Sequence, residues 1–174
     1  MLTRALTATL VCTFALLGQS VDAQSQPILQ VSGEVQQTIS LSRDDIMALK
    51  RRDYTETRTV TQDGKDAQIV VRYQGVPLKD LLDRAGLKPD RRLIRKAIVL
   101  LTAKDGYQAS FSWGELYNSS IGDGVILVLR QGNEELLESD GLLSLRSLQD
   151  ERSGPRHVRW LEHIEVMLPS NNVR

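Results

Sequence analysis

The sequence predicts an α+β domain, a β-sheet framework carrying short helices, on three observations: a strand–turn–strand–helix unit over residues 97–117, an Asp-Gly hairpin between β-rich runs, and a helix with one apolar stripe. Residues 97–103 form a run rich in Ile, Val and Leu between Lys96 and Lys104, as a buried strand requires, although period alone does not separate it from a piece of helix. Asp105-Gly106 is a turn signal, and residues 107–111 alternate as a strand beyond it. Ser112-Trp113-Gly114-Glu115 reads as a capping box, with Phe111 and Leu116 at the staple positions.

Taken in order, the chain opens with a basic start (residues 1–4), an apolar run (5–17) and Val21-Asp22-Ala23, the pattern of a signal peptide over residues 1–23 with cleavage before Gln24. That leaves residues 24–174 as a single domain, periplasmic or secreted. A retained membrane anchor is the competing reading, but the apolar run falls short of the roughly 20 residues of a span. Cys12 lies inside the run, against a lipid-anchored start, and it is the only cysteine. Disulfides, thiolate metal ligation and cysteine nucleophiles are therefore excluded from the mature chain. Lys and Arg number 22 against 22 Asp and Glu, a net charge of zero that speaks against nucleic acid.

Residues 28–35, broken at Ser32-Gly33, read as an edge strand. Ser42 caps a short helix running to Lys50, with Asp44 and Asp45 in its first turn and Leu41 and Ile46 at the staple spacing. Residues 56–61 and 67–73 flank Gln62-Asp63-Gly64-Lys65, a hairpin signal. Pro77 fits the first position of a helix whose Leu78, Leu81, Leu82 and Ala85 form one stripe. Gly86 is placed to end it in the left-handed conformation, with Leu87 folding back. Pro89, Asp90 and the basic residues after them lead into the strand at 97. Ile121-Gly122-Asp123-Gly124 is a loop, residues 125–129 a buried strand, Gln131-Gly132-Asn133 a turn, and Glu134, Glu135, Glu138 and Asp140 an acidic patch. Residues 142–148 alternate imperfectly, and 150–156 form a polar loop around Gly154-Pro155. In the last strand Val158, Trp160, Ile164, Val166 and Leu168 share one face, interrupted by Glu162. Either the strand bulges there or that carboxylate meets an arginine, since an unpaired buried charge is costly. Residues 170–174 read as a tail.

Little of the usual catalytic vocabulary is present. His157 and His163 lie six residues apart on a strand, about 20 Å, too far to share an ion. No nucleophile elbow, phosphate loop or dinucleotide fingerprint occurs. What stands out is Arg152, Arg156, His157 and Arg159 around the Gly-Pro loop. Loop guanidiniums suit an anion and would act with Lys104 and Tyr107 if the two loops meet; a solvated charge run is the alternative.

Three motifs carry a family likeness. Gly75-Val76-Pro77-Leu78-Lys79-Asp80-Leu81-Leu82-Asp83-Arg84-Ala85-Gly86, Ala103-Lys104-Asp105-Gly106-Tyr107 and Val158-Arg159-Trp160-Leu161-Glu162-His163-Ile164-Glu165-Val166, in that order and spacing, resemble the molybdopterin-binding domain of the sulfite oxidase family. The resemblance implies a mixed β-sheet domain with short flanking helices, in which the regions of residues 104–107 and 152–159 line a cofactor pocket. It also implies a cysteine ligand to molybdenum before the Gly-Val-Pro-Leu motif, where this chain has Thr57-Arg58-Thr59-Val60-Thr61-Gln62-Asp63. The family's Gly-x-Pro-Leu-Arg segment stands here as Gly141-Leu142-Leu143-Ser144-Leu145-Arg146, without its proline and with its arginine replaced by Ser144 or displaced to Arg146. The family's N-terminal pterin-binding region has no counterpart expected in the mature chain.

These readings combine into an expectation: an exported, non-catalytic binding or sensory domain of this fold. Its site would comprise Lys104, Asp105, Tyr107, Arg152, Arg156, His157 and Arg159 and take a small anionic ligand or an envelope partner protein. Asp105 would serve either the ligand or an arginine beside it. No bound cofactor, no nucleic acid and no membrane insertion of the mature chain are expected. A molybdopterin-dependent oxidoreductase with a non-cysteine ligand and a structural subunit of an envelope complex are the alternatives.

Overall fold

Residues 26–88, 90–135, 143–152 and 154–169 are described by the computed structural model of the protein. The first half contains β1 (Pro27–Gly33), β2 (Ile39–Ser42), α1 (Arg43–Met47), β3 (Arg52–Gln62), β4 (Lys65–Pro77), α2 (Leu78–Ala85) and α3 (Arg91–Ile94). The second half contains β5 (Ile98–Ala103), β6 (Gln108–Ser112), α4 (Trp113–Tyr117), a 3-10 turn (Ser120–Gly124), β7 (Val125–Gln131) and β8 (Glu134–Glu135). It closes with β9 (Ser144–Ser147), β10 (Val158–Arg159) and β11 (Leu161–Met167).

The strands build two sheets. One runs β2-β1-β11-β5-β6 and is mixed, because β1 and β11 pair parallel while its other neighbours are antiparallel. The other runs β10-β9-β7-β4-β3, with β8 folded onto β7, and is antiparallel throughout. One core cluster draws from both: Val31, Leu101 and Ile164 from the mixed sheet, Leu127 and Leu145 from the antiparallel one, and Leu82 from α2. This is the expected α+β architecture of sheets with short helices.

Local chemistry explains most elements. The Asp63-Gly64 turn has positive φ at both residues (52° and 72°), the geometry whose twist suits a two-residue hairpin. β3 and β4 pair without interruption from Arg52↔Gly75 to Gln62↔Lys65. Both expected caps form complete boxes, Ser42 with Asp45 and Ser112 with Glu115, and the staple residues Leu41, Ile46, Phe111 and Leu116 are all buried. The whole α2 stripe is buried, each of these side chains gaining on the order of 1.5–3 kcal/mol where the residue is large. Gly86 ends α2 at φ 70°.

Several expectations change. β1 is not an edge: β2, which hydrophobic pattern alone did not reveal in four residues, takes the edge and leaves β1 between β2 and β11. Pro77 is the last residue of β4 and the N-cap of α2, one position before the expected one. Asp90 caps a one-turn helix, α3, where the sequence predicts a connection; its carboxylate accepts from the N–H groups of Arg92 and Leu93. The last strand is two strands in two sheets. Trp160 adopts φ 51°, which turns the chain from β10 to β11, and the register of β11 against β5 shifts between Leu161 and His163. Trp160 is consequently 43% exposed, Leu161 is buried in its place, and Glu162 points to solvent. Of the two readings offered for Glu162, the bulge is correct. Residues 1–25, Pro89, the acidic residues Glu138 and Asp140, Gly141, Leu142 and the tail at 170–174 lie outside the described residues.

Candidate functional site

The break at Trp160 brings the two expected loops to one end of the molecule. At the end of β5, Gly106 takes φ 87°, its N–H donates to the Ala103 carbonyl at 3.0 Å, and the Ala103 N–H donates to the Tyr107 carbonyl at 2.9 Å. Asp105 Oδ1 accepts from the Tyr107 N–H at 3.0 Å, so this carboxylate stabilises its own turn rather than an arginine. The Lys104 N–H donates to the Trp160 carbonyl at 2.9 Å, which ties the turn to the junction of the two sheets. The Tyr107 hydroxyl then donates to the Pro155 carbonyl at 2.6 Å. The turn and the 152–159 segment therefore meet, with Lys104, Tyr107, Arg159 and Trp160 all exposed.

The arginines of the segment divide by environment. Arg156 is half-buried and satisfied on three sides. Its Nε donates to Asp150 Oδ2 at 2.8 Å, its Nη2 to Asp150 Oδ1, and its Nη1 to Glu115 Oε1 at 2.7 Å. Its guanidinium lies 4.4 Å from the centroid of the Phe111 ring. Asp150 also accepts from Ser147 Oγ at 2.8 Å, and Glu115 accepts from the Ser112 N–H at 2.7 Å, so α4, β9 and the loop are joined through one guanidinium. Burial works to raise the Glu115 carboxyl, but the Ser112 N–H and Arg156 outweigh it and hold the group below the usual glutamate range. Asp150 in turn pushes Arg156 further up. His157 follows it and is half-buried, its backbone N–H donating to the Gly154 carbonyl at 3.1 Å. Arg152 is exposed on the wall of a cleft of about 460 Å³ that it shares with Glu56, Arg58 and Leu148.

Sequence reading missed Trp160 as a member of this end of the molecule. Periodicity assigns it to the core, and the one available signal is Glu162, which breaks the alternation two residues later. His163 takes no part: its Nε2 lies 3.1 Å from Ser32 Oγ on the mixed sheet. No grouping of three or more His, Cys, Asp or Glu side chains suited to a metal occurs among the described residues.

Comparison with known proteins decides the family. The model of the oxidoreductase molybdopterin binding domain matches residues 19–172. The chain belongs to that family. Among solved structures it is similar to the sulfane dehydrogenase SoxCD from Paracoccus pantotrophus, at 20% identity and a TM-score of 0.60. The match covers 79% of this chain and 37% of that one, so this chain spans well under half the length of its relative, and the likeness speaks for the fold. No curated protein matches the sequence. The sulfite-oxidase-like molybdopterin-binding fold expected from the three motifs is thus the fold observed.

The residues present do not fit a molybdenum cofactor held by a thiolate. The part of β3 that precedes Gly75-Val76-Pro77-Leu78 offers threonine, arginine and valine, and the one cysteine of the sequence is Cys12. Arg156, the half-buried cation at the meeting of the loops, has its donors directed at Asp150 and Glu115 rather than outward. The family membership and the donor set therefore point in different directions.

Proposed function

We propose that this protein is an exported, non-catalytic binding domain of the molybdopterin-binding fold. It takes a small anionic ligand or an envelope partner where the Lys104–Tyr107 turn meets the 152–159 segment. The observation that carries the reading is the 2.6 Å hydrogen bond from Tyr107 to Pro155, which joins two polar loops on rigid strands and leaves Lys104, Tyr107, Arg159 and Trp160 on one exposed end. Lys104 and Arg159 supply positive charge, and Arg152 extends it toward the neighbouring cleft. The rings of Tyr107 and Trp160 supply flat apolar surface beside that charge. Asp105 shapes the turn. Arg156 and His157 form the support behind it, Arg156 acting as a brace and not as a first donor to the ligand. Export rests on the leader pattern of residues 1–23.

Native mass spectrometry of the endogenous protein tests this, comparing the natural chain with a Lys104→Gln, Arg159→Gln double variant. The natural chain is expected to carry an additional mass, small or protein-sized, that the variant loses. An additional mass retained unchanged by the variant places the site elsewhere. A molybdenum–pterin mass on the natural chain establishes the oxidoreductase alternative instead.

A further inference from the structure

The antiparallel sheet ends on β3, and no further strand of the described residues pairs with that edge. β3 has 11 residues with no proline, lysine or bulge, so it lacks several of the features that keep exposed edges from pairing with other chains. β4 meets β7 only from Tyr73 to Pro77, so the hairpin beyond, residues 57–70, has just two strands. Residues 65–70 are all exposed, Ile69 at 37% and Val70 at 63%. A ribbon of two strands is marginal in water and gains from further strands along its edge.

The ladder fixes which backbone groups that edge presents. The Arg72 carbonyl accepts from the Gly132 N–H at 2.8 Å and so faces away from β3. Thr55↔Arg72 is therefore a non-hydrogen-bonded pair, and by alternation Thr55, Thr57 and Thr59 turn their N–H and C=O groups outward. All three are exposed. A second copy joined along this edge by a two-fold axis runs antiparallel to the first. Outward residues must then meet outward residues, so the axis passes through a single position of β3.

The charges select that position. An axis at Thr57 overlaps the whole of β3, pairs Thr55 with Thr59 of the second copy, and sets Glu56 opposite Arg58 once on each side. An axis at Glu56 or at Arg58 sets like charges opposite each other, and axes nearer either end shorten the overlap. Glu56 is fixed in place for this contact. It is 7% exposed, and the Tyr73 hydroxyl donates to its Oε2 at 2.8 Å, leaving Oε1 for a second donor. Tyr73 packs with Ile126 and Val128 on the face of the sheet away from the main core. Arg58 Nε has no hydrogen-bond partner among the described residues.

We propose that this protein forms a two-fold dimer by joining its β3 edges antiparallel about Thr57. The antiparallel sheet then runs on through both copies, with Glu56 of each meeting Arg58 of the other. Lys104, Tyr107, Arg159 and Trp160 take no part in the join, so the dimer does not depend on the function proposed above.

Sedimentation of the intact chain over a concentration series tests it, with oxidation of single-cysteine variants in a Cys12→Ser background. A dimer that dissociates on dilution is expected. Arg58→Glu sets carboxylates opposite each other twice and should weaken it at least tenfold. Thr57→Pro removes an outward N–H and should abolish it. The Lys104→Gln, Arg159→Gln double variant should associate like the natural chain. Disulfides read the register, because a hydrogen-bonded pair holds its Cα atoms about 5.5 Å apart, within disulfide reach, whereas a four-residue offset is about 14 Å. Thr57→Cys should therefore cross-link to itself and Thr55→Cys should not, while Thr55→Cys mixed with Thr59→Cys should. Should Thr57→Pro lower the urea midpoint, Arg58→Glu and the disulfides still decide. The proposal is overturned by a chain that stays monomeric at every concentration, or whose edge is taken by its own N-terminal residues or by another protein. It is equally overturned by a dimer that Arg58→Glu leaves intact, or by Thr55→Cys cross-linking to itself in place of Thr57→Cys.

Discussion

Arg156 shows how a basic loop residue changes meaning once its neighbours are known. In sequence it is one of four cationic or ionisable residues around a Gly-Pro loop. In the fold it meets Asp150 and Glu115, which lie six and 41 residues away, and neither pairing has a local signature. Arg156→Gln should lower stability by about 1.5–3 kcal/mol, the scale of a lost charge-assisted hydrogen bond, read as a shift in urea midpoint at neutral pH. The pH dependence has a definite sign. Glu115 is held below its ordinary value of 4.5, so its contribution is fully present above that pH and is lost as pH falls through the lower folded value. Stability of the natural chain should therefore drop below about pH 4.5 more steeply than that of Arg156→Gln. Parallel slopes would show that Arg156 does not set the state of Glu115. Tyr73 tests the opposite face. Burial, joined by the bond to Glu56, pushes its phenol up to about 12 from 10.0. Its share of stability is complete below pH 10 and declines as pH climbs toward 12, so Tyr73→Phe should flatten the alkaline limb. At this scale the turn residues and caps were legible, because their chemistry is local. The ion pairs were not, because they join distant parts of the chain.

At the scale of elements, α2 and the turn of the β3–β4 hairpin were readable almost to the residue, since an apolar stripe and an Asp-Gly turn are signals within one window, whereas both strands run four residues further from that turn than the β-rich runs suggest. Leu82 is fully buried in α2, and Leu82→Ala should cost about 2–5 kcal/mol. An unchanged denaturation midpoint would mean that this face is not the packed one. Gly33 offers a second test. It adopts φ 90°, and a Cβ there would lie 2.1 Å from the Val166 carbonyl oxygen, so Gly33→Ala should strain the parallel β1–β11 pairing and lower the thermal midpoint clearly. The short elements were hidden for a physical reason. β2 and α3 have four residues each, too few to show a period, and they exist because the core receives Leu41 and Ile94. The division of the last strand was hidden as well. A left-handed Trp160 is not a propensity that sequence displays, and only the misfit of Glu162 hinted at it.

For the whole molecule, the three motifs located the fold because they mark the places where it is most constrained: the helix packed into the core, the turn at the end of β5, and the passage from one sheet to the other. They do not locate the chemistry. The family's fold is present, while the segment of β3 where its enzymes carry a thiolate has none, and Arg156 is tied to this chain's own carboxylates. The central claim is that the fold serves here for binding and not for molybdenum chemistry. The molybdenum content of the protein purified from its native compartment, in cells that make the cofactor, tests this most directly. The account predicts far less than one molybdenum per chain, unchanged by Lys104→Gln and Arg159→Gln. Near-stoichiometric molybdenum that copurifies with pterin would contradict it.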